Sequence, residues 1–235
     1  MTHKGPRNDS HSHPSPMTSE SRTHLERQSE CPAYRIETER AVLRCWQPAD
    51  AEILLNAVSQ SLEHLREWMP WARNEPTSLE DKIALLRNWR AEFDLDSDYT
   101  YGIFSPDEIE VWGGSGLHKR LAGSALEIGY WIRADLINRG LATEISAALT
   151  KVAFAVNKVD RVEIHCDPDN VRSAAIPRKL GFTQEALLRR RTTKPDGSPT
   201  DMAIWTLFLD QLASSTVADA PVRAYDVLGT SIPLV

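Results

Sequence analysis

From Arg40 onwards the chain alternates between two hydrophobic rhythms. Ala41-Val42-Leu43-Arg44-Cys45-Trp46 is a short apolar run of the kind a buried strand shows. Leu54, Val58, Leu62, Leu65 and Met69 then recur at helical spacing until Pro70 ends the run. Thr77-Ser78-Leu79-Glu80 reads as a capping box opening a second helix, with Leu79, Ile83, Leu86, Trp89 and Phe93 on one face. Strands are predicted at 99–104, 111–117 and 126–132. A helix over 140–156 turns Leu141, Ile145, Leu149, Val152 and Val156 inward. A strand at 161–166, a short helix at 171–180 and strands at 183–191 and 203–209 complete the pattern, with Pro195-Asp196-Gly197 supplying the last turn. The order β-α-α-β-β-β-α-β-α-β-β predicts one α/β domain, a mixed sheet with helices on its faces. No internal repeat interrupts it.

The two ends break the rhythm. Residues 1–32 are rich in Ser, His, Pro, Thr and charge and hold almost no large apolar side chain, so a disordered tail is expected there. Residues 213–235 are small and polar with scattered apolar positions, and are expected to form a second tail or to drape over the body. The domain proper is therefore placed at 33–212.

Composition narrows the class. The 235 residues are 41% hydrophobic and 26% charged, enough for one substantial core. No stretch approaches the roughly 20 apolar residues of a membrane span, and no apolar segment follows the N-terminus. A cytoplasmic chain with no membrane partner is expected. Cys31, Cys45 and Cys166 are too far apart for a disulfide framework or a metal site. Cys45 and Cys166 read as buried thiols. His11-Ser12-His13 is at most a weak metal ligand in a solvated tail, so no metal is expected. A formal net charge of -6 argues against general nucleic-acid binding, and leaves room for a basic protein substrate.

Two segments carry chemistry. In the first, the strand Glu127-Ile128-Gly129-Tyr130-Trp131-Ile132 leads to Asn138-Arg139-Gly140-Leu141-Ala142-Thr143-Glu144 at the start of a helix. A glycine turn at a helix N-terminus leaves backbone N–H groups unpaired, and with the helix dipole they form an anion site. A plain strand–helix connection would look the same. In the second, Asn170 is a good helix cap and Lys179-Leu180-Gly181-Phe182 a good helix end. Pro177 inside that helix removes one backbone hydrogen bond and frees the carbonyl of Ser173.

Together, in this order, the segments resemble the GNAT superfamily of N-acyltransferases, within it the branch of bacterial ribosomal-protein N-terminal alanine and serine acetyltransferases. The resemblance covers roughly 40–212. It implies a central, mostly antiparallel twisted sheet of about seven strands with helices on both faces, and a splayed pair of parallel strands at the cofactor site. It also implies acetyl-CoA as co-substrate, its pyrophosphate held by Asn138, Arg139, Gly140, Leu141, Ala142 and Thr143. Its pantetheine arm would lie along the strand ending at Ile132 and meet Asn170, with Ser173 near the sulfur. The family's usual Gln or Arg, then Gly, is replaced here by Ile137 and Asn138, which shifts the expected grip onto backbone amides. Trp68 and Trp71, in the region that walls the family's acceptor site, are the expected acceptor-binding residues together with Glu127.

Amine acylation needs a neutral amine, a polarised thioester and a protonated leaving thiolate. Ser173 is the candidate proton donor. Glu127 and His118 are the candidate bases, because the stretch Arg189-Arg190-Arg191-Thr192 holds no acid where some relatives place one. An α-amine, with a pKa near ~8, is far easier to deprotonate than a lysine near ~10.4. The expected function is thus acetyl transfer to a primary amine, foremost a protein N-terminus. A small amine such as an antibiotic or metabolite, or a non-catalytic acyl-CoA-binding module, are the alternatives, and a monomer or homodimer is expected. A nucleotide-binding protein is disfavoured, since Gly113-Gly114-Ser115-Gly116 lacks the Lys-Ser/Thr of a phosphate-binding loop.

Overall fold

Alternation of apolar positions builds one sheet, and the helices cover it unevenly. The structure, a computed structural model, describes Met1, 32–194 and 196–234. The N-terminal tail expected at 1–32, with His11 and His13, lies almost wholly outside the described residues. From Pro32 the chain forms one unit.

Ten strands pair among the described residues: β1 (Arg35–Glu37), β2 (Val42–Cys45), β3 (Tyr99–Phe104), β4 (Val111–His118), β5 (Ala125–Ile132), β6 (Arg161–Cys166), β7 (Thr183–Thr193), β8 (Pro199–Phe208), β9 (Arg223–Tyr225) and β10 (Ser231–Ile232). Their order is β10-β9-β1-β2-β3-β4-β5-β6-β8-β7. Neighbours run antiparallel except β5 and β6, which are parallel. Five helices accompany them: α1 (Ala51–Gln60), α2 (Leu62–Trp68), α3 (Leu79–Asp94), α4 (Leu141–Ala155) and α5 (Val171–Leu180).

One sheet face, with Leu43, Ile103, Leu117, Ile128 and Val162, packs on α4, whose Ile145, Leu149 and Val152 are fully buried. Near β2–β5 the other face packs Trp46 and Phe104 against Leu54, Val58, Leu65 and Leu86 of α1–α3. Helices on both faces of a mostly antiparallel sheet match the expected class.

The strand count exceeds the expected seven because the chain ends join the sheet. β1 pairs with β2 and β9, and β9 with β10. The segment expected as a tail from 213 is therefore packed: Val217 and Ala224 are fully buried, and Lys151 Nζ donates to the carbonyls of Ala218 and Ala220. Two-residue and three-residue strands are too short to show an alternation a sequence reading can use.

The single helix expected over 54–69 is two. It breaks at Ser61, whose Oγ accepts the Ala134 N–H at 3.0 Å and ties the helix to the loop after β5. The capping box is displaced by one residue. Ser78 and Asp81 form it, because Thr77 is held by Glu75 through its N–H at 2.9 Å. Leu79 and Ile83 are consequently exposed, and Lys82 is buried on Glu75 instead.

Candidate active site

The site begins where two strands part. β5 and β6 pair only from Ala125/Arg161 to Glu127/Glu163, and beyond that the parallel strands are no longer bonded. The far edge of β5 stays on β4, with Arg133 N–H on the Trp112 carbonyl at 2.8 Å. The alternation of an antiparallel ladder then turns the amides of Tyr130 and Ile132 into the gap. This is the splayed parallel pair the resemblance implied.

The gap opens into a cleft of about 440 Å³ bordered by Tyr130, Ile132, Asn138, Gly140–Thr143, Asn170 and Ser173. At its end stands the N-terminus of α4. Gly140 is the cap residue at φ 79°, a left-handed conformation that glycine adopts without steric cost. Asn138 is also left-handed, at φ 61°. Asparagine tolerates that region, so the replacement of the family's glycine leaves the turn intact. The N–H groups of Leu141, Ala142 and Thr143 have no partner among the described residues, as an anion site requires. These orphan amides are the feature that fits a pyrophosphate.

Arg40, from the β1–β2 turn, braces this corner. Its guanidinium donates to the Arg139 carbonyl at 2.8 Å and to Glu144 at 2.6 Å, and its own N–H bonds Glu144 at 3.0 Å. The acid in the first turn of α4 is thereby neutralised. Arg139, expected to contact phosphate, does not border the cleft; its carbonyl serves the brace.

At the other end Asn170 caps α5, its Oδ1 accepting the Ser173 N–H at 3.1 Å. Ser173 Oγ lies 2.9 Å from the Tyr130 hydroxyl, which also reaches the Ser173 carbonyl at 3.4 Å. That is the carbonyl Pro177 frees, so Tyr130 takes the place of the missing helix bond. Burial pushes the Tyr130 phenol up, and it stays protonated at neutral pH. Burial also pushes the Cys166 thiol up, against hydrogen bonds from Ser173 and Trp205. Cys45, buried far from this cleft's lining, is pushed up to about 12. Both thiols are inert at neutral pH.

A second cleft, of about 600 Å³, shares Met69, Tyr130 and Trp131 with the first. Trp46, Trp71 and Trp89 wall it, and Glu75, Lys82, Glu92, Asp98, His118 and Arg120 are its ionisable lining. Trp71 stands edge-on to Trp131 with ring centres 6.1 Å apart. Trp68 and Trp71, expected together, are separated: Trp68 borders the first cleft and Trp71 the second. The extended backbone of Met69 and the helix stop at Pro70 turn the chain between them.

The two candidate bases are direct cross-strand neighbours, His118 on β4 opposite Glu127 on β5. Only His118 borders the second cleft. Glu127 borders neither and lies 3.6 Å from Arg120 and 3.7 Å from His165. The glycine run at 113–116 is strand β4, with no phosphate-loop geometry. Tyr130, Arg40 and Asp98 were missed in the sequence. Tyr130 alternates with Ile128 and Ile132 and reads as core, while the other two act only through contacts distant in the chain. Among the described residues no cluster of three His, Cys, Asp or Glu side chains could hold a metal ion, and no helix is long and apolar enough to cross a membrane.

A mixed sheet parted between parallel strands, an open helix N-terminus at one end of the gap and a hydroxyl pair at the other define a protein built to seat a long, phosphate-bearing thioester beside a second substrate. Comparison with known proteins agrees. Residues 40–183 match the family described as Acetyltransferase (GNAT) domain. The chain is similar to the [Ribosomal protein uS5]-alanine N-acetyltransferase of Escherichia coli, 26% identical over 163 residues, covering 67% of this chain and 82% of that enzyme. Two solved structures share the fold. One is RimL, a ribosomal L7/L12 alpha-N-protein acetyltransferase in complex with coenzyme A (TM-score 0.67, 21% identity, 74% of this chain and 96% of that one). The other is the microcin C7 self-immunity acetyltransferase MccE in complex with acetyl-CoA and AMP (TM-score 0.67, 20% identity, 73% and 93%). The chain belongs to the GNAT acetyltransferase family and is an acetyl-CoA-dependent N-acetyltransferase.

Proposed function

We propose that the protein acetylates the α-amino group of a protein or peptide N-terminus. The observation that carries this reading is the meeting of the two clefts at Tyr130 and Trp131, where β5 leaves β6. A thioester lying in the first cleft and an amine entering from the second would approach one another at that strand.

Acetyl-CoA supplies the activated acetyl group. The chain's own residues do the rest. The free amides of 141–143 hold the pyrophosphate, with Arg40 keeping Glu144 from repelling it. The amides of β5 facing the gap line the pantetheine arm and polarise the thioester carbonyl, as preorganised donors do where negative charge develops. Asn170, whose Oδ1 is committed to the cap, has its amide nitrogen left to donate to the arm. Ser173, relayed by the protonated Tyr130, returns a proton to the leaving thiolate. An α-amine near pKa ~8 is about a tenth neutral at pH 7 and asks little of the enzyme's base. The ribosomal-protein relatives support this acceptor class, as does the net charge of -6, which favours a basic target.

The test is a thiol-release screen with acetyl-CoA against peptides of varied N-terminal residue and a set of small amines. Mass spectrometry then locates the added acetyl group. Turnover confined to peptides with a free N-terminus is expected. Turnover only on small amines would move the assignment to that class, and tight acetyl-CoA binding with no turnover on any amine would leave a binding module.

A further inference from the structure

We propose that Asp98 and His118 form the base of this enzyme: His118 Nε2 accepts the proton of the attacking amine, and Asp98 is the positioning residue that fixes its tautomer. The proposal rests on the N-acetyltransferase reading and adds the proton path. His118 Nδ1 lies 2.7 Å from Asp98 Oδ2. Asp98 is itself held, its Oδ1 accepting the Lys119 N–H at 3.0 Å. A carboxylate on Nδ1 makes that nitrogen the donor, so the lone pair of the neutral ring is on Nε2.

Nε2 is where an acceptor is needed. Gly116 and Gly129 face each other across β4 and β5, and together they make a notch for the imidazole. A Cβ on Gly116 would fall 2.5 Å from Nε2, and one on Gly129 would fall 3.3 Å from it. Any side chain at Gly116 would displace the ring. The ring thus lies over Gly129, two residues past the last bonded pair of β5 and β6 and next to Tyr130, which borders both clefts. Among the described residues Nε2 has no hydrogen-bond partner, although His118 is only 9% exposed. His118 borders the second cleft, so a ring nitrogen with no partner among those residues faces space that an amine can enter. Glu127 across the strand is flanked by Arg120 and His165 and borders neither cleft.

The step balances. The amine lone pair forms the new N–C bond, and the C–S bond breaks with its electrons on sulfur. One proton passes from the amine to His118 Nε2 and on to solvent, and one reaches the sulfur from Ser173, which regains it from solvent through Tyr130.

Charged groups approach the ring from several elements. Asp98 and Asp96 precede β3, Lys119 and Arg120 follow β4, Glu127 lies on β5, and Glu92 and the Lys82–Glu75 pair face the same cleft from α3 and the segment before it. Asp98 is the one in contact.

The experiment compares the full-length protein with its His118→Gln, Asp98→Asn, Asp98→Glu and Glu127→Gln variants, using an Ala-initiated peptide as probe. Acetyl-CoA affinity is measured by calorimetry and kcat/KM from pH 5.5 to 9. His118→Gln is expected to lose about a hundredfold or more in kcat and the acid limb, with acetyl-CoA affinity within twofold of wild type. Asp98→Asn is expected to lose about tenfold in kcat with KM little changed, and Asp98→Glu to recover part of that loss. Retained acetyl-CoA binding shows that the variants fold. Full activity in His118→Gln, or an unchanged kcat in Asp98→Asn, would overturn the dyad, most directly if Glu127→Gln carried the loss. Absence of turnover in the wild type would instead overturn the functional reading, and the dyad with it.

Discussion

Ser173 and Tyr130 show how a residue's role can depend on a distant backbone defect. Pro177 leaves the Ser173 carbonyl without a helix partner, and the Tyr130 hydroxyl bridges that carbonyl and the Ser173 Oγ. If the two hydroxyls act as one donor, Tyr130→Phe should lower kcat about tenfold and Ser173→Ala more, with acetyl-CoA affinity little changed. The double variant should be no slower than Ser173→Ala alone, the non-additivity expected of a unit. Steady-state kinetics on all three would show it. A second residue-scale prediction concerns pH. Burial raises the Glu108 carboxyl, but hydrogen bonds from Arg35 and Arg44 outweigh it and hold Glu108 below the ordinary range. A depressed carboxyl stabilises the fold above its unfolded pKa and loses that contribution as pH falls through the folded value. Glu108→Gln should therefore cost about 1 kcal/mol at pH 7, and in urea unfolding the difference from wild type should shrink as pH falls below the ordinary carboxylate range and vanish once Glu108 is protonated in the folded state.

At the scale of an element, the N-terminus of α4 is the proposed pyrophosphate site. Leu141, Ile145, Leu149 and Val152 hold the helix on the sheet, and the turn at Asn138–Gly140 leaves its first amides outward. Gly140→Asp should abolish acetyl-CoA binding while the fold persists, because the nearest atom to a new Cβ is 3.7 Å away and the added carboxylate faces the pyrophosphate. The left-handed strain costs only about 1–2 kcal/mol. Gly140→Ala separates strain from charge and should bind with intermediate affinity by calorimetry. Arg40→Ala should weaken acetyl-CoA roughly three- to tenfold, since it frees Glu144 to repel phosphate at the helix start. Glu144→Gln in the same background should restore part of that loss.

Across the whole molecule, the chain ends stabilise what the middle performs. β9 and β10 extend the sheet beyond β1, and Val217 and Ala224 are fully buried by the segment that carries them. A chain ending at Leu212 should unfold at clearly lower urea. The loss should be ~3 kcal/mol or more, from Val217, Ala224 and the backbone pairing they accompany.

The periodic middle of the chain was legible because strands of six or more residues and helices of ten or more repeat their own pattern. All seven expected strands and the helices at α3, α4 and α5 stand within a few residues of their places. So did the cofactor turn, since a glycine before a helix start and a capped helix after a strand are local statements. What the sequence could not place depends on partners far along the chain. The break at Ser61 is set by Ala134, and the cap at Ser78 by the competing grip of Glu75 on Thr77. The end of the chain reads as polar and scattered until β1 gives it a strand to pair with. The acceptor cleft was the least legible part. The sequence slightly favours Glu127 over His118, and it is the Asp98 contact and the two facing glycines that set His118 apart. Local backbone chemistry thus marked a candidate anion site at a helix start, and the family resemblance supplied the co-substrate. The geometry of the proposed acceptor cleft was decided by tertiary structure, because it arises from side chains that the sheet alone brings together.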